Sequence, residues 1–335
     1  MKAIILAVTI ITSSVAMAVD SDKFTVKKNV IDNVEVVWLE DNRSPLYNVE
    51  IYFADGALSD PSSKIGTTEM MLELLSSGTN RYGHKEIADA LEYFGVSTSY
   101  DVTHEFSRFS ISGLTKDAIP TFKMICHLFH DAIFPVDQIR KSKRLRMNRL
   151  QSLVNDKGVL ADRAFRYVTM KDSPFSQPPG GTKASIRKIY RRDLINKLKY
   201  FNTKVKKRVY MSGPTKLWKI KDIFVKECGW GKEAVYQRRV ETKKTVAKKS
   251  SKRPNIYLVP VKNSSQAQIR LGRYLPYDVL DTRLEIYDVM EGLLGSGFTS
   301  LLMRELRVKR GLTYGANAFM SRQLFYGRSG ITTFT

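Results

Sequence analysis

The sequence is poor in the residues that cross-link chains or hold soft metals: of 335 residues, two are cysteine and four are histidine. One bridge at most, Cys126 to Cys228, cannot staple a chain of this length, so a disulfide-framework protein is excluded. Whether those two join is open from the sequence, and the apolar helical pattern around Cys126 favours a buried free thiol. No G-x-S-x-G elbow is present, and Cys126 beside His127 is adjacency rather than a catalytic dyad. His127 and His130 lie three apart in an apolar run without a third ligand, while His84 in a turn and His104 at a strand end fall in no ligand motif. From Gln138 to Asn155 there is no acidic residue at all.

Long apolar runs are also scarce. The first, Ile4 to Val15, follows Lys2 and precedes Ala16-Met17-Ala18, the layout of a secretory signal with an A-x-A cleavage site. It is shorter than the roughly 20 residues needed to span a bilayer, and no second run is long enough, so no transmembrane segment is expected. The mature chain is expected to begin at Val19, in the periplasm or outside the cell. Its formal charge of +22 becomes +21 once Lys2 leaves (22 − 1). The positive residues are dispersed, with local density at 141–149, 183–192, 204–208 and 243–253, and no nucleic-acid-binding signature accompanies them. Export and that dispersion exclude nucleic acid as the expected partner; solvated faces and a basic linker explain the excess.

What is present reads as an α+β chain with two similar units. Alternation through Val34–Leu39 and Val49–Phe53 predicts an antiparallel strand pair. Helical spacing over Ile65–Leu75 and Lys85–Phe94 follows, then strands at Val96–Val102 and Phe106–Leu114. Helices are expected at Lys116–Phe134, Val136–Val154, Val159–Lys171 and Arg191–Tyr200, the loop Pro174–Thr182 interrupting them, and a strand at Lys207–Met211. After a lysine- and arginine-rich stretch come strands at Asn255–Val261 and Gln268–Gly272, helices at Asp281–Leu294 and Phe298–Lys309, and a hairpin of Leu312–Ala318 with Gly327–Phe334. The organisation expected is a signal peptide (1–18), an α+β domain with an antiparallel sheet (19–236), a basic linker (237–253) and a second, incomplete domain of the same plan (254–335).

The turn Ala54-Asp55-Gly56-Ala57-Leu58-Ser59-Asp60-Pro61, the following Gly66-Thr67-Thr68-Glu69-Met70-Met71-Leu72-Glu73, and Ser77-Gly78-Thr79 resemble the insulinase/pitrilysin peptidase superfamily, which includes the mitochondrial processing peptidases. Gly180-Gly181-Thr182, Ser265-Gln266, Leu294–Ser300 leading to Arg304-Glu305-Leu306-Arg307, and Gly311-Leu312-Thr313-Tyr314 extend the resemblance. In that family the first helix carries the inverted zinc motif H-x-x-E-H. Here Glu69 and Glu73 stand at the two histidine positions and Leu72 at the general-base position. The family's third ligand, a glutamate roughly 75 residues later, would fall in the acid-free stretch. The resemblance therefore implies a chain that binds no metal of its own. Glu69 and Glu73 as a hard-cation pair lack further oxygen donors, so a vestigial or solvated face is expected.

The family also places an arginine and a tyrosine across the chamber from the zinc, and Arg307 and Tyr314 resemble that pair, with Arg310 a rival for the arginine. The implied role is to hold substrate backbone and donate to the developing oxyanion. Two-chain members divide the labour, which implies a non-catalytic subunit of a heterodimer: zinc on a homologous partner, and a peptide or unfolded polypeptide as substrate. The alternatives are a peptide-holding scaffold of the cell envelope and a metallopeptidase with an unconventional site. Family C-terminal domains continue past the point where this sequence stops. Mass spectrometry of the mature protein is expected to find Val19 at its N-terminus; Met1 or Lys2 retained would reject the signal-peptide reading.

Overall fold

The computed structural model describes residues 26–31, 34–153, 155–171, 173–220, 222–230, 255–275, 284–322 and 327–334. The expected signal peptide and basic linker lie outside them.

The first unit is built on strands β1 (Val26–Ile31), β2 (Val34–Glu40), β3 (Leu46–Phe53), β4 (Ser97–Val102), β5 (Ser107–Leu114) and β6 (Lys207–Gly213), in the order β1-β2-β6-β3-β5-β4. All pairings are antiparallel except β2 with β6. This corrects the strand pair expected from Val34–Leu39 and Val49–Phe53: β6, far away in sequence, lies between β2 and β3 and pairs with both. Local alternation reports which face a residue takes but not which strand lies beside it.

That alternation sets the core. Val34, Val36 and Trp38 of β2, Tyr47, Val49, Ile51 and Phe53 of β3, Phe109 and Ile111 of β5, and Val209 and Met211 of β6 are buried on one face. Helices α1 (Thr67–Glu73), α2 (His84–Tyr93), α3 (Ala118–Asp131), α4 (Val136–Ser152), α5 (Lys157–Thr169), α6 (Lys183–Arg187), α7 (Arg191–Lys204) and α8 (Ile223–Glu227) follow. Phe122, Ile125 and Phe129 of α3 and Leu194, Leu198 and Phe201 of α7 join the same cluster. Phe53 lies within aromatic contact of Phe129, Phe201 and Trp230, at centroid distances of 5.7, 5.1 and 6.2 Å. Tyr47 pairs with Gly113 across β3 and β5, and its ring takes the space a side chain would fill: a Cβ at Gly113 would meet the Tyr47 hydroxyl at 2.8 Å. Beside Trp230, the buried Lys207 ammonium donates to the carbonyls of Asn202 and Val205 at 3.0 and 2.9 Å, and burial pushes its pKa down to about 7.

The second unit has β7 (Gln268–Leu275), α9 (Leu284–Gly295), β8 (Gly315–Arg322) and β9 (Gly327–Phe334), the strands forming an antiparallel sheet in the order β7-β9-β8. Helix α5 meets it: Arg270 Nε is 2.6 Å from Asp162 Oδ1, and Phe165 packs edge-on to Phe319. Two expectations change here. Residues 255–261 form no strand, and Ile256 and Leu258 are exposed. The helix expected over Phe298–Lys309 contains a π-helical turn, Met303–Val308, where Lys309 N–H reaches back to Arg304 O at 2.9 Å. π-turns insert one extra residue per turn and redirect the side chains around them.

The cysteines are joined, which overturns the free-thiol reading. Cys126 of α3 bonds Cys228, 102 residues on, with Cα atoms 4.5 Å apart. The helical pattern around Cys126 correctly signals burial, but burial does not distinguish a thiol from half a disulfide. Cross-linking so long a loop removes much unfolded-state entropy, on the order of 4.7 kcal/mol for about 100 residues in the chain-entropy model. Reduction, or replacing both cysteines with alanine, is expected to lower the unfolding free energy by about 2–5 kcal/mol. Urea titrations with and without reductant check this; coincident curves would show that the link contributes nothing.

Candidate functional site

The turn before α1 is organised by a carboxylate. Asp60 accepts from Gly66 N–H at 3.0 Å, from Thr68 N–H at 3.1 Å and from Thr68 Oγ1 at 2.6 Å, so it satisfies the free amides at the start of α1 from several residues upstream. Lys197 of α7 pairs with it at 2.8 Å, both side chains being almost wholly buried (6% and 0% exposed), and also donates to Ser59 Oγ at 2.7 Å. Asp55 receives the Tyr200 hydroxyl at 2.7 Å; burial raises its pKa, and Lys197 opposes that rise.

A second brace comes from Gly180-Gly181-Thr182. Gly66 opens α1 in the left-handed region (φ 101°), where a Cβ would strike Gly180 O at 2.7 Å. Thr182 caps α6 by accepting from Ser185 N–H at 3.2 Å, and Ser185 Oγ donates to Ile65 O at 2.8 Å. The sequence motifs at 54–61, 66–73 and 180–182 are thus one constellation in space.

On α1, Met70, Met71 and Leu72 face the core, and Glu69 and Glu73, one turn apart, share the other face. They are not a solvated face. Arg146 of α4 lies between them, donating from Nη1 to Glu69 Oε1 at 3.0 Å and from Nε to Glu73 Oε2 at 2.7 Å, with Nη2 also bonded to Glu73. Its side chain is 9% exposed. Burial alone would push the guanidinium pKa down, but the two carboxylates outweigh burial and the net shift is upward. Tyr100 of β4 adjoins the group; burial first, then the charge of Glu73, raises its phenol pKa.

Arg146 follows Glu69 by 77 residues and Glu73 by 73, the region where the resemblance places the third zinc ligand. The residues present do not fit zinc. The two carboxylates that stand for the histidines are engaged by a guanidinium, the general-base position is a buried leucine, and the third position is itself a cation. Among the described residues no group of three side chains could hold a metal ion. His127 and His130 both turn to Asp131, at 3.5 and 3.1 Å; His84 Nδ1 lies 3.2 Å from Ser76 O, and His104 Nε2 lies 2.8 Å from Gln177 O.

In the second unit, Arg307 lies on the π-helical turn with its guanidinium carbon 4.6 Å from the centroid of Tyr314 and 5.7 Å from that of Phe298, a cation–π arrangement. Tyr314 is 74% exposed. The loop bearing it is pinned by the neighbouring Thr313, whose hydroxyl donates to Phe334 O and accepts from Gly315 N–H at 3.1 Å. Arg310 is exposed just beyond the π-helical turn.

Sequence reasoning missed Arg146, Asp60 and Lys197. The signal for Arg146 was available: two carboxylates one helical turn apart call for a cation, and the acid-free, arginine- and lysine-rich stretch from Gln138 to Asn155 is where one would be sought. The purified chain is expected to retain no stoichiometric zinc and to cleave no peptide alone. One zinc per chain by elemental analysis, together with chelator-sensitive cleavage, would refute this.

Residues 218–335 match the family described as the peptidase M16 inactive domain. The non-peptidase homolog YmxG of Helicobacter pylori is 24% identical over 286 residues, covering 84% of this chain and 63% of that protein, so the chain spans less than two thirds of this relative's length. Among solved structures, the peptidase M16 inactive domain from Pseudomonas fluorescens aligns with a TM-score of 0.75 at 19% identity, over 93% of this chain and 74% of that one. A protease from Helicobacter pylori gives 0.73 at 14% identity, over 93% and 75%. Pitrilysin gives 0.69 at 13%, over 94% of this chain and 34% of its own. At such identities the structural likeness speaks for the fold alone: the chain has the fold of these M16 proteins, and its residues 218–335 match the M16 inactive-domain family.

Proposed function

We propose that the chain acts as a non-catalytic subunit of a two-chain zinc peptidase, supplying Arg307 and Tyr314 to a substrate peptide held against a zinc-bearing homologue. The observation that carries this reading is the half-buried Arg307 stacked on the exposed Tyr314, in a chain whose Glu69 and Glu73 are engaged by Arg146. A guanidinium braced on a ring keeps its outer N–H groups for a carbonyl or carboxylate, and the phenol is a neutral donor for an oxygen that becomes negative. Export to the periplasm or beyond fits the disulfide, which persists in oxidising compartments. No helix among the described residues is long and apolar enough to cross a membrane.

A second reading, a scaffold that holds peptides without cutting them, is favoured by a trough of about 580 Å³ on the outer face of the first sheet, with Val37, Leu39, Asn48, Ser110, Ser112 and Tyr210 among its lining residues. Small hydroxyl side chains beside apolar ones suit an extended polypeptide rather than a strongly charged ligand.

Mixing the chain with a zinc-motif homologue is expected to give peptidase activity that neither shows alone. Tyr314→Phe removes one donor to the oxyanion and is expected to cost on the order of 10² to 10³ in kcat while leaving association intact. Arg307→Ala is expected to raise KM as well as lower kcat, because a cation that captures the peptide acts before the chemical step. Arg310→Ala is expected to change neither; if it is the damaging substitution, the arginine is misassigned. Full activity with Arg307 and Tyr314 both substituted would transfer the case to the scaffold.

A further inference from the structure

We propose that the surface where α4 meets the α6–α7 turn is a docking face for an anionic phospholipid membrane, formed by lysines and arginines that the fold gathers from separate basic segments. This goes beyond the peptidase-subunit reading and does not depend on it.

The charges are dispersed along the sequence and brought together in space. The basic stretches 141–149 and 183–192 contain no Asp or Glu. Lys143 joins them: its ammonium donates to Arg187 O at 3.0 Å and lies 5.2 Å from the centroid of the Tyr190 ring. Lys64, from the turn before α1, approaches the same ring at 5.6 Å. Tyr190 is exposed where these segments meet, and Arg187, Lys188 and Arg191 beside it are exposed too. Arg140 stands one turn before Lys143 on α4 and also faces solvent.

The face is short of counter-charge. Asp193 is already engaged, taking Lys64 Nζ on its two oxygens at 2.7 and 2.8 Å and accepting from Tyr190 N–H at 2.8 Å. Among the described residues, none of Arg140, Lys143, Arg187, Lys188 and Arg191 forms an ion pair; Arg191 Nε is bonded to Ile133 O at 2.7 Å instead. Burial lowers the Lys143 pKa, and the charge of Asp193 only partly opposes that. Like charges one turn apart on a helix repel, so the cations of α4 carry a cost that an outside anion removes.

The composition selects the kind of anion. The two ammoniums engage the Tyr190 ring, which leaves no aromatic platform for stacking bases. Protein interfaces centre on apolar and aromatic anchors and are depleted in lysine, whereas lysines stand at the centre of this face. A cluster of Lys and Arg is what a layer of anionic headgroups attracts, each cation near the surface adding to the binding, and a tyrosine suits the boundary between headgroups and water. Attachment of this kind is peripheral and is released by salt.

The test is co-sedimentation of the purified chain with vesicles of phosphatidylcholine alone and of phosphatidylcholine mixed with phosphatidylglycerol, at low and high salt. The chain is expected to sediment with the anionic vesicles only, and to leave them at high salt. Arg140→Gln/Arg187→Gln/Lys188→Gln is expected to bind them on the order of 10²-fold more weakly. A control, Lys28→Gln/Lys116→Gln/Lys216→Gln, removes the same charge from exposed lysines elsewhere on the chain and is expected to bind almost as well as the unsubstituted protein. Should the first variant fail to fold, Arg187→Gln/Lys188→Gln is expected to weaken binding on the order of 10-fold. No sedimentation with anionic vesicles, or equal weakening in the control, overturns the proposal. So does binding to soluble polyglutamate that anionic vesicles do not displace, which would give the face to an acidic polypeptide.

Discussion

A single buried carboxylate fixes the frame on which the rest is hung. Asp60 closes the N-terminus of α1 and at the same time neutralises Lys197, so one side chain determines where α1 starts and how α7 lies against it. A charge so deep is tolerable because each of its oxygens is bonded, and removing one partner of such a pair costs about 3–5 kcal/mol. The arrangement on the α4-facing side of α1 follows from that placement. The register of α1 sets Glu69 and Glu73 on the side facing Arg146, and puts Leu72 into the core, where no water could be activated. The turn before α1 thus specifies how the helix is anchored as well as which of its residues face α4.

Much of the architecture was legible because it follows from local periodicity. The helices at 67–73, 84–93, 118–131 and 136–152, and the strands at 97–102 and 107–114, fall within a few residues of the pattern read from apolar spacing. Three things were not. The insertion of β6 between β2 and β3 is a pairing across more than 150 residues, which alternation cannot encode. The π-turn at 303–308 keeps helical composition while changing its hydrogen bonds. Residues 255–261 have strand composition without a ladder, since extended backbone becomes a strand only when a neighbour supplies partners. At the site, the placement of Glu69 and Glu73 on one helix face was legible from their spacing, whereas their pairing with Arg146 required seeing α4 beside α1.

The basic surplus divides along the same lines. On α4, Arg146 is internal and paired, while Arg140, Lys141 and Arg144 on the same helix are not buried. Lys197 and Lys207 are buried too, one matched by a carboxylate and the other by carbonyls alone. Net charge therefore overstates what the surface offers an anionic partner, because some of the positive residues are structural cross-ties.

The bond between Cys126 and Cys228 has a topological result as well as an energetic one. It closes α4 through α8 into a covalent ring that contains Arg146, Gly180, Gly181 and Lys197, the residues that grip α1 from outside its own segment. A protease that nicks any one loop inside that ring opens it without releasing a fragment. The clasp around α1 stays tethered to the body that carries α1, and a clipped molecule keeps all its parts until a reductant arrives.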